Sequence, residues 1–345
     1  MKALALTGTG GLEHLKVAEL PLPLPPGPGE AMVRMHSAAL NRLDLLIANG
    51  LPGVTLRFPH VVGSDGAGTV ESVGAGVSVP RPGDRVMINP VLSCGRCLAC
   101  SDGEESLCGS LRVVGEHRGG TAAEYLVLPA DNLALVPERM PWDRAAAFSL
   151  AALTAWRMLA TRARLVPGET VLIWGIGGGV AMAALQIAVL FGARAIVTSG
   201  SDEKLAAARR EGAAATINHS SGDVAAEVRA LTGGLGADVV VDSVGEQSWP
   251  NSQRALRRGG RFVICGATTG PIVSLDVRRL FWHQWSILGS TLGNRREYAE
   301  IVRLAHQGKL WPVVDRSVGL SAGVAALERL QRGEQTGKLV IEVAS

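Results

Sequence analysis

The 345-residue sequence carries little net charge, +3 at neutral pH from 34 Lys and Arg against 31 Asp and Glu. Its arginines fall in scattered pairs such as Arg257 and Arg258, Arg278 and Arg279, or Arg295 and Arg296. No basic run with interleaved aromatics is present, so nucleic acid is not an expected partner. A long hydrophobic run is missing too. The longest, residues 180–193, is interrupted by Gln186 and falls short of the roughly 20 residues a membrane span needs. Met1 and Lys2 lead straight into a short apolar run, without the charged head, long apolar segment and small-residue cleavage site of a secretory signal. The cytoplasm is therefore the expected compartment. Cysteine is scarce, at five residues, but four of them crowd into fifteen positions. In a reducing compartment, such crowding points to a metal site more readily than to disulfides.

What is present is 47% hydrophobic residues with 43 Gly and 17 Pro, the composition of a soluble α/β enzyme. The length suits two domains of roughly 150 residues each. Residues 1 to about 140 hold short β-branched runs at 31–35, 68–73 and 84–88, each closed by turn residues, which predicts a small β domain. From Trp142 the texture changes to an alanine-rich helical stretch at 144–160, followed by alternating apolar strands and amphipathic helices. Parallel strands are expected at 170–174, 195–198, 216–218, 238–242, 261–265 and 287–291, enough for a doubly wound six-stranded sheet. Helices up to His306 and at 322–332 follow, and a last β-branched strand at 338–343 is expected to return to the first domain. The expected domains are thus 1–145 with 293–345, and 146–292.

The first of these parallel strands runs into Gly175-Ile176-Gly177-Gly178-Gly179-Val180-Ala181, and a helix with apolar Ala184, Leu185, Ala188 and Phe191 on one face follows. Strand, glycine turn and helix together predict a dinucleotide site. Glycines let the backbone approach a pyrophosphate, and the helix start favours its charge. The end of the second strand, where an acidic residue would hold the ribose hydroxyls of NAD, reads Thr198-Ser199-Gly200-Ser201, with Lys204 one turn on. Small donors and an ammonium suit a 2′-phosphate, so NADP(H) is favoured over NAD(H). The competing reading is that Ser201 only caps the next helix, with Asp202 and Glu203 in its first turn. Gly266, just past the fifth strand, joins the cofactor-binding set.

Cys94, Cys97, Cys100 and Cys108 follow the spacing C-x2-C-x2-C-x7-C inside a lobe at about 92–110. Four thiolates can close a tetrahedron around Zn²⁺ and leave no open position for substrate, so one structural zinc is expected there. Cys265, in an apolar strand, reads as a buried small hydrophobe.

These residues resemble the medium-chain dehydrogenase/reductase superfamily along essentially the whole chain. The cysteine lobe is similar to that of the zinc alcohol dehydrogenases. Gly63-Ser64-Asp65-Gly66-Ala67-Gly68-Thr69-Val70, Gly236-Ala237-Asp238-Val239-Val240-Val241-Asp242 and Gly337-Lys338-Leu339-Val340-Ile341 are similar to family patterns. The resemblance implies a GroES-like β domain joined to a Rossmann domain. Where the alcohol dehydrogenases hold catalytic zinc with a Cys, the His of a Gly-His-Glu triplet and a third ligand, this chain has Asn41, Ser64 and, near Ala151 and Ala152, no ligand. Asn41 with Asp44, the Gly-Ser-Asp triplet and Leu153-Thr154-Ala155-Trp156 look instead like the quinone oxidoreductase branch, which lacks the cysteine lobe. In that branch the residues matching Gly200, Lys204 and His219 lie at the 2′-phosphate. The family's first and last fingerprint glycines fall here on Ile176 and Ala181, and the isoleucine implies a slightly different turn.

Without a Lewis acid, simple alcohol oxidation loses a contribution of several kcal/mol. Quinones and α,β-unsaturated carbonyls accept hydride more easily, because the incoming charge spreads onto an oxygen that donors can stabilise. The expectation is a nicotinamide near Asn41 and Thr154, with Asn41 orienting cofactor or substrate. His117, Ser64 or bulk water serves as proton donor, and Asp44 and Asp65 are either functional or structural. Rival readings are an alcohol dehydrogenase with unusual ligands such as Asp65 and His117, an NADPH-binding sensor without turnover, and a disulfide-regulated protein. A homodimer or homotetramer is expected, built on the edge strand at 287–291 with Phe281, Trp282 and Trp285 before it.

Overall fold

The ten-residue strand Glu30–Ala39 buries Ala31, Val33 and Met35 at alternate positions, the period of a strand with one covered face. In the computed structural model, which describes residues 1–343, this strand lies inside a seven-stranded sheet. The sheet runs Leu133–Leu135, Arg85–Ile88, Asp65–Val73, Glu30–Ala39, Lys338–Glu342, Val314–Gly319, with Tyr125–Pro129 also paired to Glu30–Ala39. A three-stranded sheet of Leu15–Glu19, Lys2–Leu6 and His60–Val61 packs Leu4 and Leu6 into the same apolar core as Met35, Ile88 and Ile341. The last strand thus belongs with the first part of the chain, as expected. The chain divides into Met1–Ala151 with Asn294–Ser345, and Ala152–Gly293.

Register inside the first unit decides what meets what. Ala39 pairs with Asp65 on one side and with Val340 on the other, both antiparallel. Asn41, two residues past Ala39, and Lys338, two before Val340, are therefore brought beside Asp65 by the ladder itself.

The second unit is a six-stranded parallel sheet in the order Ala215–Asn218, Arg194–Ser199, Thr170–Ile173, Ala237–Asp242, Leu256–Ile264, Ser286–Gly289. This is the doubly wound order 3-2-1-4-5-6, so the strand order reverses at Thr170–Ile173, and ligands of such sheets bind beyond the carboxyl ends there. Leu172, Ile196, Ile217, Val240 and Phe262 are all buried in its core, each contributing about 1.5–3 kcal/mol by leaving water. Among the described residues no helix is long and apolar enough to cross a membrane.

Three expectations change. The helical stretch at 144–160 is broken into Trp142–Ala146 and Ser149–Trp156, and continues as a π-helical segment, Arg157–Arg162. The break at 147–148 puts Leu150 in the first turn of a new helix, and its N–H donates to Asp65 Oδ1 at 2.6 Å. Trp285, expected beside an exposed edge, is buried, its indole donating to Arg257 O, while Phe281 and Trp282 remain exposed. Cys265 lies just past the strand Leu256–Ile264 and is half-buried.

Candidate active site

Asn41, Asp65 and Lys338 form a buried hydrogen-bonded triangle. Lys338 Nζ donates to Asp65 Oδ2 at 2.9 Å and to Asn41 Oδ1 at 2.5 Å, and Asn41 Nδ2 donates to Asp65 Oδ2 at 2.9 Å. Asp65 is 0% and Lys338 3% exposed, so the pair is taken fully out of water. Such a pair persists only when both ions find partners. Asp65 receives three donors, from Lys338, Asn41 and the Leu150 backbone. Beside it, Ser149 Oγ and the buried Tyr298 hydroxyl lie 3.0 Å apart, and burial pushes the tyrosine up from its ordinary value.

Asp44 stands next to the triangle but is held differently. Its two carboxylate oxygens accept the backbone N–H groups of Asn41 (2.7 Å) and Gly63 (2.8 Å), which fixes the start of the helix Arg42–Asn49 against the Gly63 turn. Burial pushes its carboxyl up to about 6, against the pull of those N–H groups and of Lys338. Ser64, expected as a donor, is fully buried, and its Oγ has no hydrogen-bond partner among the described residues. His117 is tied to its own loop: Nδ1 accepts from the Val113 N–H at 3.2 Å and lies 3.7 Å from Glu116. The triangle is thus built from Asn41, Asp65 and Lys338, and no contact of His117 joins it.

Sequence reasoning saw Asn41, Ser64 and Asp65 but passed over Lys338, Ser149 and Tyr298 as site residues. The available signal was a lysine opening the strand Lys338–Glu342 directly before the apolar run Leu339-Val340-Ile341.

In the second unit most of the residues expected at the cofactor follow the carboxyl ends of the three neighbouring strands Thr170–Ile173, Arg194–Ser199 and Ala215–Asn218. Gly175 (φ +69°) and Gly177 (φ +106°) carry the left-handed turn, and the helix Gly179–Leu190 starts at Gly179 and Val180 with Gly178 before it and no side-chain cap. Its first N–H groups are therefore left for an anion such as a pyrophosphate. The aliphatic stem of Lys204 lies over the turn, so that a Cβ added at Gly177 would meet Lys204 Cδ at 2.6 Å. A Cβ at Gly200 would meet Ser220 Oγ at 2.6 Å and His219 Nε2 at 3.3 Å. Ser201 caps the helix Asp202–Arg210 by accepting from Lys204 N, as the competing reading holds, and Ser201 N donates to Ser199 Oγ. The Asp202 carboxylate accepts from Asn218 Nδ2 at 2.8 Å. Thr154 is buried in the helix Ser149–Trp156 and Gly266 approaches Ser243 O. Ile176 fits a turn in which its side chain is buried and its N–H donates to Thr198 O. Strand, uncapped helix start and glycine turn fit a nicotinamide dinucleotide.

The four lobe cysteines also converge. Their sulfurs lie within 4.8 Å of one another, with Cys97 to Cys100 at 3.5 Å and Cys94 to Cys100 at 3.9 Å. A tetrahedron with Zn–S bonds of 2.3 Å has edges of about 3.8 Å, so the spacing fits one zinc. The N–H groups of Cys94 and Ser110 point at Cys108 Sγ, and those of Arg96 and Cys97 hold the Cys94 thiol down to about 6. Among the described residues this is the one such group of three or more Cys, His, Asp or Glu.

Comparison with known proteins agrees with both units. Residues 27–138 match the family described as alcohol dehydrogenase GroES-like domain, and residues 179–307 the family described as zinc-binding dehydrogenase. An NAD-dependent alcohol dehydrogenase of Sulfurisphaera tokodaii is 30% identical, with 99% of each chain covered. A solved NAD-dependent alcohol dehydrogenase superposes with a TM-score of 0.96 at 45% identity over the whole of both chains. A crotonyl-CoA carboxylase/reductase solved in complex with NADP superposes with a TM-score of 0.90 at 25% identity, covering 99% of this chain and 95% of that one. The protein is a nicotinamide-dependent oxidoreductase, and it belongs to the zinc-type alcohol dehydrogenase-like family of medium-chain dehydrogenases/reductases.

Proposed function

We propose that the chain is an NADP(H)-dependent reductase of quinones or α,β-unsaturated carbonyls that works without a catalytic metal, its four-cysteine lobe holding one structural zinc. The observation that carries this reading is the buried Lys338–Asp65 pair. The one acidic side chain of the triangle already has a cation, supplied by the chain, and the positions beside it are Asn41 and Ser64. Neither a carboxamide nor a neutral hydroxyl is among the thiolate, imidazole and carboxylate ligands that zinc takes.

Reduced nicotinamide, when bound, supplies the hydride. This chain's part is to receive the charge that then builds on the acceptor oxygen, until water delivers the one proton that completes the reduction. Ser64 Oγ, buried and without a partner, has its donor unused and is the natural hydroxyl for that oxygen. Asn41 orients the ligand. The preference for a 2′-phosphate rests on Lys204, Gly200 and His219, with Asp202 already engaged by Asn218. The neighbour named crotonyl-CoA carboxylase/reductase, solved with NADP, supports an activated C=C acceptor on this scaffold. The relatives named NAD-dependent alcohol dehydrogenase support a second reading, a metal-dependent alcohol dehydrogenase.

One experiment separates the two. Zinc per chain is measured alongside NADPH and NADH oxidation with quinones, enones and aldehydes, and alcohol oxidation, before and after strong chelation. One zinc and chelation-resistant NADPH turnover on quinones or enones is the expected result. A second metal equivalent, with alcohol activity lost on chelation, overturns it.

A further inference from the structure

The orientation of one carboxamide deepens the reductase reading and rests on it. Asn41 has one acceptor oxygen and two N–H donors. Its Oδ1 accepts a hydrogen bond from Lys338 Nζ, and one N–H goes to Asp65 Oδ2 at 2.9 Å. Among the described residues the only other hydrogen bond of Nδ2 is with Ala39 O at 3.5 Å, at the outer limit of such a bond. A flipped amide would set its NH₂ against the ammonium and its oxygen against the carboxylate, so Lys338 and Asp65 together allow one orientation. In that orientation the second N–H is nearly unused. Lys338 is similarly incomplete: three donors meet two acceptors, on a side chain that is 3% exposed.

We propose that Lys338 is a positioning residue for the reaction, fixing and polarising Asn41 so that its second N–H donates to the carbonyl oxygen of a quinone or enone. An ammonium on the amide oxygen draws density from the amide nitrogen and makes its remaining N–H a stronger donor, as in any hydrogen-bond chain of low dielectric. The positive charge then acts on the acceptor oxygen through the amide. A preformed donor of this kind favours the reduced, charge-bearing state over the neutral substrate, so its loss falls on kcat rather than on cofactor affinity.

The test compares Lys338→Met, Lys338→Arg, Asn41→Ala and the Asn41→Ala/Lys338→Met double variant in the full chain. Turnover is read with the quinone or enone that the wild type reduces, NADPH affinity by fluorescence titration. The Asn41 side-chain ¹⁵N–¹H pair, assigned by its absence in Asn41→Ala, is read by NMR without cofactor. Lys338→Met is expected to lower kcat about 10- to 100-fold, the size of losing one transition-state donor or weakening it, with NADPH affinity changed less than about threefold. Lys338→Arg recovers most of the rate, and the double variant is no slower than Asn41→Ala alone, because both changes remove one function. The Asn41 amide protons move upfield in Lys338→Met. Multiplying losses in the double variant, or an unmoved amide signal, overturn the proposal. Should Lys338→Met leave Asp65 uncompensated and fail to fold, Lys338→Met/Asp65→Asn removes both charges and gives the same readouts. A wild type that reduces no quinone or enone sinks the reductase reading, and the NMR shift then still decides whether Lys338 polarises Asn41.

Discussion

Two places in the unit Met1–Ala151 with Asn294–Ser345 gather side chains that carry negative charge, and they differ in where positive charge comes from. In the lobe, four thiols converge within 4.8 Å, and once deprotonated as ligands they repel one another until a dication arrives. Around Asp65 the cation is already covalently present, as Lys338. The charge of the first site, once its thiols ionise, is balanced only by a cation from solution, whereas the carboxylate of the second is balanced by the chain itself. On the proposed reading, a metal at the lobe and a lysine at Asp65 are independent of each other, because each site balances charge separately. The comparison also predicts how each region responds when its cation is removed or its proton load changed.

The largest effect is expected at the lobe. Cys97→Ser removes one of four ligands and leaves a site that no longer closes, and structural zinc contributes on the order of 10 kcal/mol to small zinc domains. Only part of that reaches a unit with its own apolar core, so a loss of several kcal/mol and a fall in unfolding temperature of about 10 °C are expected. Zinc per chain by elemental analysis and thermal unfolding by circular dichroism measure both. A zinc-free variant that melts with the wild type would show that the lobe does not depend on the metal.

Asp44 sharpens the other side, because it lies beside Lys338 yet is held by backbone N–H groups and burial raises it to about 6. Its folded value lies above its unfolded value near 3.8, so the folded state keeps a proton that the unfolded chain has released. The stability Asp44 contributes is therefore full below about pH 4 and is lost as pH rises through about 6. The full change is about 3 kcal/mol for a shift of roughly two units. Asp44→Asn does not titrate and shifts stability by an amount independent of pH. Urea denaturation at pH 4.5 and 7.5 should then show wild type losing about 2 kcal/mol relative to the variant between the two values. A gap that stays constant across that range rejects the raised value.

The lobe was legible in the sequence because its ligands are local. Fifteen residues hold all four, and spacing alone encodes a tetrahedron. The six parallel strands were legible too, since strongly apolar runs bounded by glycine leave little choice. The triangle was not, because its members sit at 41, 65 and 338 and meet only through the register Ala39 to Asp65 and Ala39 to Val340. A lysine at the start of a β-branched strand reads as a solvated end unless its partners are known. The break at 147–148 was hidden for a related reason. Alanine has high helix propensity on both sides of it, and what separates the two helices is tertiary: Leu150 N donates to Asp65, and Ser149 pairs with Tyr298.

A second lysine allows the smallest test of the comparison. Lys204 lies with its stem across Gly177 beside the uncapped helix start, and Gly200, His219 and Ser220 stand together at the ends of the next two strands, Arg194–Ser199 and Ala215–Asn218. Lys204 is expected to place its charge on the cofactor. A charge-assisted hydrogen bond to phosphate contributes about 1.5–3 kcal/mol, so Lys204→Ala should raise KM for NADPH about 10- to 100-fold. KM for NADH, which has no 2′-phosphate, should stay within about threefold. Because Lys204 also covers the glycine turn with its stem, Lys204→Met serves as the control that keeps packing and removes only the ammonium. Equal losses for both cofactors in the methionine variant would place the role of Lys204 in shaping the turn, and the preference for NADP(H) would then fall. A loss confined to NADPH, and eased at high ionic strength where both charges are screened, would mean that this lysine reads the extra phosphate.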